Sequence, residues 1–505
     1  MTRPVRLGLL LAAAGLLVGH ALVFDFVNDD AFISFRYADN LVRHGALVFN
    51  PGERVEGYTN FLWTVLIAGV LALKGEPVFW SKVLSIGLGI GSLWAIARFS
   101  ARQERDGASG WDALGPFLLA AAPAYACWST GGLETQLFTF TLTMGWVGYL
   151  TERDDGYAGT PTSGVWFALA AMTRPEGMLF FGLTGLHRLG EMLFAQRTWK
   201  PEKQDWIWGL GFALVFGPYY LWRYSFYGYP FPNTYYVKTG AKNFWVPGGR
   251  YLWSWVKDHG LYALFPLALL VRRRLPGGRR GRLWTLVLLY TVALCVHVAR
   301  VGGDFMGLHR FFVPLMPLLA LVIAQALRSL GEWLAARGKG PALAGVALAA
   351  ALAGVGGWQV YRIDQQAMTV GSDAGVDRIG WLKQFAEQCA AIGRWIAENT
   401  PEDARLATTA AGTIPFYARR YTYDILLLNV DTEVVKATPA HGNRPGHTKA
   451  ASHAQIMAQD IDYLIYHPTI AERRPGPRRG PSGYEWFTVQ VPGMEPPWWG
   501  VFRRR

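Results

Sequence analysis

The sequence contains about eleven apolar runs separated by short polar loops, and this pattern restricts the chain to a helical membrane protein. Of the 505 residues, 51% are hydrophobic and only 17% are charged, which is unlike an ordinary soluble domain. Runs near the bilayer length predict crossing helices, and shorter runs predict half-helices buried within a bundle. The candidate spans are residues 7–24, 78–98, 113–128, 136–150, 163–173, 177–190, 206–223, 260–271, 283–299, 311–327 and 341–357.

Basic residues indicate which ends of these runs face the cytoplasm. Arg3 and Arg6 precede the first run, which we interpret as an uncleaved span rather than a signal peptide, and Asp29 and Asp30 follow it. The positive-inside rule then places the N-terminus in the cytoplasm and both aspartates outside. The same rule predicts cytoplasmic loops at residues 98–105, 188–203, 272–282 and 328–339. An odd number of crossings places the C-terminal region outside as well.

The apolar run at residues 61–73 does not fit this alternation, because counting it as a crossing would place the basic loop 98–105 outside. We interpret it as a helix at the outer membrane interface, anchored by Trp63. Residues 25–77 are then one external loop within a membrane domain of residues 1–357.

Residues 358–505 have a different pattern and predict a small α/β domain outside the membrane. An amphipathic stretch after Asp377 predicts a helix, and DIDYLIYHP and WFTVQV predict strands. The 3 cysteines are too few for a disulfide framework. The net charge of +13 resides mainly in short loops between apolar runs, so it indicates a membrane orientation rather than a nucleic-acid partner.

Adjacent carboxylates at the mouth of the first span are the first candidates for chemistry. In a helical NDDAFISFRYADN, Arg36 would recur near the faces of Asp29 and Asp30. One of the aspartates could accept a proton from an acceptor hydroxyl, with its pKa tuned by its neighbours. The alternative is a solvated helix N-terminus, where acids favour the helix dipole.

Other charged residues occur in or near external loops. Arg174 of TRPEG lies between two runs too short to cross alone, so it is expected inside the bundle, where a guanidinium suits a phosphate. A structural pair of Arg174 with Glu176 or Glu134 is the alternative. Glu134 of GGLET could line the same site as Arg174. Glu56 could face the aspartates or help to hold a divalent ion, or simply pair with Arg54.

Two further external motifs carry polar side chains beside glycine or tyrosine. VGGDFMGLHRFF places Asp304, His309 and Arg310 where they could meet a sugar or phosphate, although an ordinary loop is the alternative. FPNTYYVKTG adds Asn233, Tyr235 and Lys238. Tyrosines at a membrane surface are usually interface-belt residues, which is the alternative for Tyr235.

Together these motifs resemble the polytopic GT-C glycosyltransferases. DDAFISFRYADNLVRHGALVFNPGERVEGYTNFLW is followed in order by GLET, TRPEG, PNTYYVK, GGDFMGLHRFFVPLMP and AAGTIPFY…DILLLN. Within the superfamily the chain is most similar to the terminal arabinofuranosyltransferases. The resemblance implies a GT-C-type polytopic helical protein of about 11 transmembrane helices with a small C-terminal α/β domain outside the bacterial cytoplasmic membrane. It also implies transfer of a sugar from a polyprenyl-phosphate donor to a glycan, glycolipid or glycoprotein acceptor.

The resemblance also assigns roles to the candidate residues. Asp29 or Asp30 would be the base, while Glu56 and Asn60 would overhang the donor phosphate and the acceptor. The expected phosphate partners are Arg36, Arg174, Lys238 and Arg310; the further substrate contacts are Glu134, Asn233, Tyr235, Asp304 and His309. A divalent cation (Mg, Mn or Ca) held by either aspartate with Glu56 is compatible with this site but not required.

Two other classes of function remain as alternatives. A transporter or flippase of a lipid-linked saccharide predicts midplane charges and repeated halves, and the sequence shows neither. A scaffold without catalytic activity in an envelope assembly would leave Arg174 and Asp29 without a role.

Overall fold

The computed structural model describes residues 3–103, 110–156, 158–238, 244–260, 279–440 and 447–505. A helical domain precedes a smaller mixed α/β domain. The helices of the first domain are α1 (Arg3–Phe24), α2 (Asp29–His44), α3 (Phe61–Ala72), α4 (Pro77–Gln103), α5 (Leu114–Ala120), α6 (Pro123–Cys127), α7 (Thr135–Asp154), α8 (Ser163–Thr173), α9 (Glu176–Gly190), α10 (Lys203–Tyr227), α11 (Asn233–Lys238), α12 (Trp245–Asp258), α13 (Arg279–Val301), α14 (Met316–Ala335) and α15 (Lys339–Ala367).

Within the described residues, 5 helical segments are long and apolar enough to cross a membrane: Pro4–Phe24, Pro77–Gln103, Gly281–Val301, Arg310–Ala335 and Leu343–Ala367. Other predicted spans lie on shorter or less apolar helices. The run at 113–128 is divided into α5 and α6. Most of the run at 260–271 and of the loop at 272–282 lies outside the described residues. The count of eleven crossings therefore stays a prediction.

The first external loop begins with a capped helix that presents the aspartate pair. Asn28 is the N-cap of α2 and accepts a hydrogen bond from the backbone N–H of Asp30 at 2.8 Å, which satisfies one of the free donors of the first turn. The helix ends at Gly45, whose φ of 68° closes the last turn. Asp29 and Asp30 are thus the first two residues of a helix, where the dipole favours negative charge.

The helix predicted at residues 61–73 is confirmed by α3, but the role expected for Trp63 is wrong. Its indole is fully buried, and its Nε1–H donates to the carbonyl of Gly132 at 3.0 Å. Trp63 therefore joins α3 to the turn before α7 instead of anchoring the helix at a membrane surface. A buried indole with a satisfied N–H stabilises packing between elements.

The second domain is built on a five-stranded mixed sheet. Its strands lie in the order β4-β3-β5-β7-β6, with β3 parallel to β4 and β5, and β7 antiparallel to β5 and β6. The elements are β1 (Ser372–Asp373), β2 (Val376–Asp377), α16 (Ile379–Asn399), β3 (Arg405–Thr408), α17 (Thr413–Ala418), β4 (Tyr421–Asp424), α18 (Thr432–Ala437), α19 (His453–Met457), β5 (Tyr463–Ala471), β6 (Tyr484–Gln490) and β7 (Trp498–Arg504).

The helix predicted after Asp377 and the strands predicted in DIDYLIYHP and WFTVQV are confirmed by α16, β5 and β6. The proposed domain boundary at residue 358 falls inside α15, which continues as one helix to Ala367.

The two domains meet at α2 and α17. The rings of Phe32 on α2 and Phe416 and Tyr417 on α17 pack with centroids 5.5 and 5.6 Å apart. Gly412, just before α17, lies so close to α2 that a Cβ there would stand 1.8 Å from the carbonyl oxygen of Asp29. Only glycine permits this approach of two backbones, so the second domain rests directly on the first turn of α2.

Candidate active site

A cavity of about 220 Å³ lies between the first turn of α2 and the second domain. It is lined by the aspartate pair, by the turns before α3, α7 and α9, by the segment after α13 and by two loops of the second domain. Among the predicted residues, those that line it are Asp29, Asp30, Asn60, Glu134, Arg174, Lys238, Asp304 and Arg310. Residues as far apart in sequence as Asp29 and His447 therefore line one site.

The two aspartates have different surroundings. The carboxylate of Asp29 accepts a hydrogen bond from the backbone N–H of Thr413 at 2.8 Å, so it holds the β3–α17 loop of the second domain. The Asp30 carboxylate has no hydrogen-bond partner among the described residues; only its backbone N–H is engaged, by Asn28. Asp30 is therefore the aspartate whose carboxylate is available to a ligand in the cavity.

Burial and a like charge alter the acidity of this pair. The pKa of Asp30 is raised from 3.8 to about 7, chiefly by burial and also by the negative charges of Asp29 and Asp304, against the opposing effects of Arg310 and Lys238. Burial also raises the pKa of Asp29, while hydrogen bonds from Thr413 and Gly412 oppose that rise. A carboxylate with a pKa near neutrality is suited to accept and release a proton.

The cations of the cavity differ in how they are paired. Arg174 contacts Glu134 at 2.7 Å and Glu176 at 3.0 Å, so both structural pairs considered from the sequence exist. Arg310 donates from Nε to Asp304 at 2.8 Å, and its other guanidinium nitrogens make no hydrogen bond within the described residues. Lys238 has an exposed side chain and no ion pair within the described part of the chain. Lys238 and the free edge of Arg310 are therefore the groups best placed to bind an anion.

Glu134 connects the arginine to the first external loop. Its second carboxylate oxygen accepts from Asn60 Nδ2 at 2.9 Å, and Asn60 exchanges hydrogen bonds with Ser34 on α2. The chain of Arg174, Glu134, Asn60 and Ser34 orders one wall of the cavity beside the aspartates. Satisfied buried networks of this kind rigidify a site.

The role expected for Arg36 is corrected by the structure. Arg36 does not line the cavity, because its buried guanidinium donates to the carbonyls of Phe49, Pro415 and Arg420 and to the side chain of Asn50. These four acceptors belong to the external loop and the second domain. Arg36 thus joins the two domains, and four of its five N–H donors are used in doing so.

Glu56 is also placed differently from the expectation. It is buried at 5% exposure and paired with Arg223 of α10, with Nε–carboxylate distances of 3.1 Å, not with Arg54. Because it lies outside the cavity lining, it cannot join Asp29 or Asp30 around a divalent ion. The described residues contain no group of three or more potential metal-ligating acids, histidines or cysteines.

The remaining predicted residues serve the surrounding structure. Asn233 donates from Nδ2 to the carbonyls of Leu427, Leu428 and Val430 and does not line the cavity. Tyr235 is 47% exposed and packs against Phe231 and Tyr236. His309 is buried against Tyr251 and His259, away from the cavity. None of these three side chains lines the cavity.

The second domain contributes cavity residues that no sequence argument singled out. Thr409 and Ala411 follow β3, Leu426 and Leu428 follow β4, and His447 lies nearby. The carboxyl ends of adjacent parallel strands are a common position for ligand sites. AAGTIPFY and DILLLN contain or adjoin four of these positions, so the strand–turn pattern was the available signal.

Comparisons with known proteins agree with this architecture. The family described as "Domain of unknown function (DUF8728)" matches residues 379–502. The terminal beta-(1->2)-arabinofuranosyltransferase of Mycobacterium tuberculosis is 27% identical over 393 residues, covering 69% of this chain and 60% of that protein. The protein of the same name from Corynebacterium glutamicum is 27% identical over 351 residues, covering 58% of this chain and 47% of that protein. The chain thus spans about half to three fifths of these relatives.

Two solved membrane glycosyltransferases are similar in structure. ArnT from Cupriavidus metallidurans, bound to undecaprenyl phosphate, superposes with a TM-score of 0.56 at 14% identity over 86% of this chain and 88% of that one. The Archaeoglobus fulgidus oligosaccharyltransferase, tethered to an acceptor peptide, gives 0.60 at 11% identity over 93% and 69%. The resemblance drawn from the sequence is thereby confirmed, and the chain has the GT-C fold.

Proposed function

We propose that this GT-C-fold chain is a membrane glycosyltransferase that moves a sugar from a polyprenyl-phosphate donor to an acceptor hydroxyl outside the cytoplasmic membrane. The observation that carries the proposal is that one cavity is lined by Asp30, a carboxylate with a pKa near 7, and by Lys238 and Arg310, two cations with unused N–H donors within the described residues. Transfer from a phosphate donor requires a base and an anion site in the same cavity.

The reaction follows from these two groups. Ionised Asp30 accepts the proton of the acceptor hydroxyl as that oxygen forms a bond to the anomeric carbon. The bond between the anomeric carbon and the phosphate oxygen breaks, and the polyprenyl phosphate leaves with the bonding electrons. Lys238 and Arg310 stabilise the negative charge that grows on the phosphate. Arg174 is paired with Glu134 and Glu176, so it orders the wall of the site and adds no net positive charge to it.

We propose arabinofuranose as the sugar because two relatives at 27% identity carry the name of terminal arabinofuranosyltransferases. The acceptor is a glycan, glycolipid or glycoprotein of the bacterial envelope. The N-terminus would be cytoplasmic and the second domain extracytoplasmic. No step of this mechanism passes through a metal ion.

Transfer of radiolabelled sugar in lipid nanodiscs tests the proposal. Purified protein is given polyprenyl-phosphate arabinofuranose and envelope acceptor, with polyprenyl-phosphate glucose and mannose as alternative donors. Label moving to the acceptor from the arabinofuranose donor supports the full assignment, and label moving only from another donor would overturn the sugar assignment. If the protein moved the labelled lipid donor across a liposome membrane and transferred no sugar, the flippase assignment would replace the enzyme assignment.

The pH dependence of transfer reports on Asp30. Because the base acts only when ionised, kcat/KM is expected to rise tenfold per pH unit below about pH 7 and to level off above it. The pKa of Asp30 is 3.8 in the unfolded chain and about 7 in the folded protein, so the folded state holds this proton more tightly. The contribution of Asp30 to folding stability is therefore full below about pH 3.8 and falls as the pH rises to about 7. Initial rates between pH 5 and 9 measure the profile, and a plateau reaching below pH 5.5 would contradict this role.

Lys238 is expected to govern donor binding. Lys238→Met keeps an unbranched side chain only one atom shorter but removes the charge proposed to bind the phosphate, so the donor KM should rise roughly tenfold, as for loss of one charge-assisted hydrogen bond. Lys238→Arg should restore most of the affinity. Lys436→Met is the matched control, because Lys436 is paired with Glu433 at the surface, away from the cavity. Equal effects of the two methionine variants would remove Lys238 from the anion site.

A further inference from the structure

A second, larger cavity of about 590 Å³ lies outside the candidate active site. It is a cleft between α16 of the second domain and the outer ends of α1 and α4 of the helical domain. Asp25 and Phe32 line this cleft, whereas Asp30 and Ser34 line the active site. The segment from residue 25 to residue 34 is therefore a wall common to both cavities.

The cleft exists because one face of α16 has small residues on its floor and charged residues on its rim. Ala386, Ala390 and Ala391 leave space between the domains, while long charged side chains flank them. The positions 383, 387, 394 and 398 recur at helical spacing on that face. The volume lies within the range of cavities that hold organic ligands of several rings.

The chemistry of the lining points to a neutral polyhydroxylated ligand. Its cations are Lys82, Lys383 and Arg394 and its acids are Asp25, Glu387 and Glu398, three of each. The charges balance, so the cleft has no net attraction for a phosphate or an anionic lipid. Donors and acceptors alternate instead, as hydroxyl groups on both sides of a sugar require.

Most of these polar groups have unused hydrogen-bonding capacity. Lys82 and Asp25 are paired at 2.6 Å, and Arg394 lies over the ring of Tyr417 at 4.5 Å. Lys383, Glu387 and Glu398 make no ion pair within the described ranges. Aromatic surface from Phe32, Trp395 and Tyr417 supplies apolar faces against which sugar rings can stack.

We infer that this cleft binds a neutral oligosaccharide, as the part of the acceptor that does not react. The inference rests on the proposed transfer reaction, since a glycan held along α16 would reach the wall beside Asp30. Binding energy from a remote part of a substrate can orient its reacting hydroxyl. Long acceptors would then be preferred over short ones.

The test compares acceptor lengths in a cleft variant. Arg394→Ala combined with Glu398→Gln changes two exposed side chains, which leaves folding almost unaffected. Glu402→Gln is the matched control, because Glu402 is an exposed acid just after α16 that does not line the cleft. The probes are a neutral arabinofuranose hexasaccharide and the corresponding disaccharide, at saturating donor.

The expected result is a KM for the hexasaccharide raised about tenfold or more in the cleft variant, with the disaccharide KM within twofold of the wild type. The control variant should resemble the wild type. Hydrogen exchange of full-length protein, without donor, should show that the hexasaccharide protects residues 379–399 in the wild type and not in the cleft variant. An unchanged KM for the hexasaccharide, or equal changes for both lengths, would overturn the inference.

The binding and transfer measurements distinguish an error in the cleft inference from an error in the proposed transfer reaction. Hexasaccharide protection of residues 379–399, lost in the cleft variant, supports the cleft even if the wild type transfers no arabinofuranose. Transfer by the wild type without such protection would overturn the cleft and leave the reaction intact.

Discussion

Asp30→Asn is expected to lower kcat by about 10²- to 10⁴-fold, the range for loss of a general base, while donor binding stays within twofold of the wild type. The asparagine fills the same space and carries no buried charge, so the protein should fold at least as stably at neutral pH. Transfer rates and donor binding, measured at equal amounts of purified protein, separate the two effects.

Asp29→Asn is the matched variant one residue away. Its side-chain oxygen can still accept the hydrogen bond from Thr413, so transfer should fall no more than about tenfold, consistent with loss of a charged hydrogen-bond partner. Removing the charge of Asp29 also removes one of the effects that raise the pKa of Asp30. The acid limb of the pH profile should therefore move to lower pH. An inactive Asp29→Asn beside an active Asp30→Asn would reverse the assignment.

Arg223→Met is expected to destabilise the protein by about 3–5 kcal/mol, the cost of leaving one member of a buried ion pair alone. Arg223 and Glu56 have side-chain exposures of 4% and 5%, so water cannot replace the lost partner. Burial already raises the pKa of Glu56 against the opposing effect of Arg223, so loss of Arg223 would raise that pKa further. The thermal-unfolding midpoint in detergent measures the loss.

The double variant Arg223→Met with Glu56→Gln is the control. It removes both charges, so much of the stability should return. A double variant less stable than either single one would show that the charges do not act as a pair. Transfer should follow stability in all three variants, because Glu56 lies outside the cavity and supports the loop that carries Gly57 and Asn60.

Much of the local structure could be predicted from sequence. Helices were expected over most of the apolar runs, and an acid pair was expected at the start of a helix after the first one, as α2 shows. Hydropathy, helical period and capping depend on residues a few positions apart, so a single sequence contains them. The division of residues 113–128 into α5 and α6 was missed because a short apolar run has the same composition whether it is broken or continuous.

The use of individual charges could not be predicted in the same way. Arg36 appeared to be a phosphate ligand, yet its acceptors include Pro415 and Arg420, hundreds of positions along the chain. Glu56 was expected to face the aspartates, yet it forms a buried ion pair with Arg223. A charged side chain has several compatible partners, and its surroundings in three dimensions select among them.

The sequence by itself determined that this chain forms apolar helices with a small α/β domain, and that an aspartate pair begins the helix after the first of them. Only the tertiary structure decided that Asp29 holds the second domain, while the carboxylate of Asp30 in the same cavity accepts no hydrogen bond from the described residues. The physical reason is that helix formation and burial are summed over neighbouring residues, whereas the availability of a carboxylate depends on one hydrogen bond from Thr413, 384 positions away.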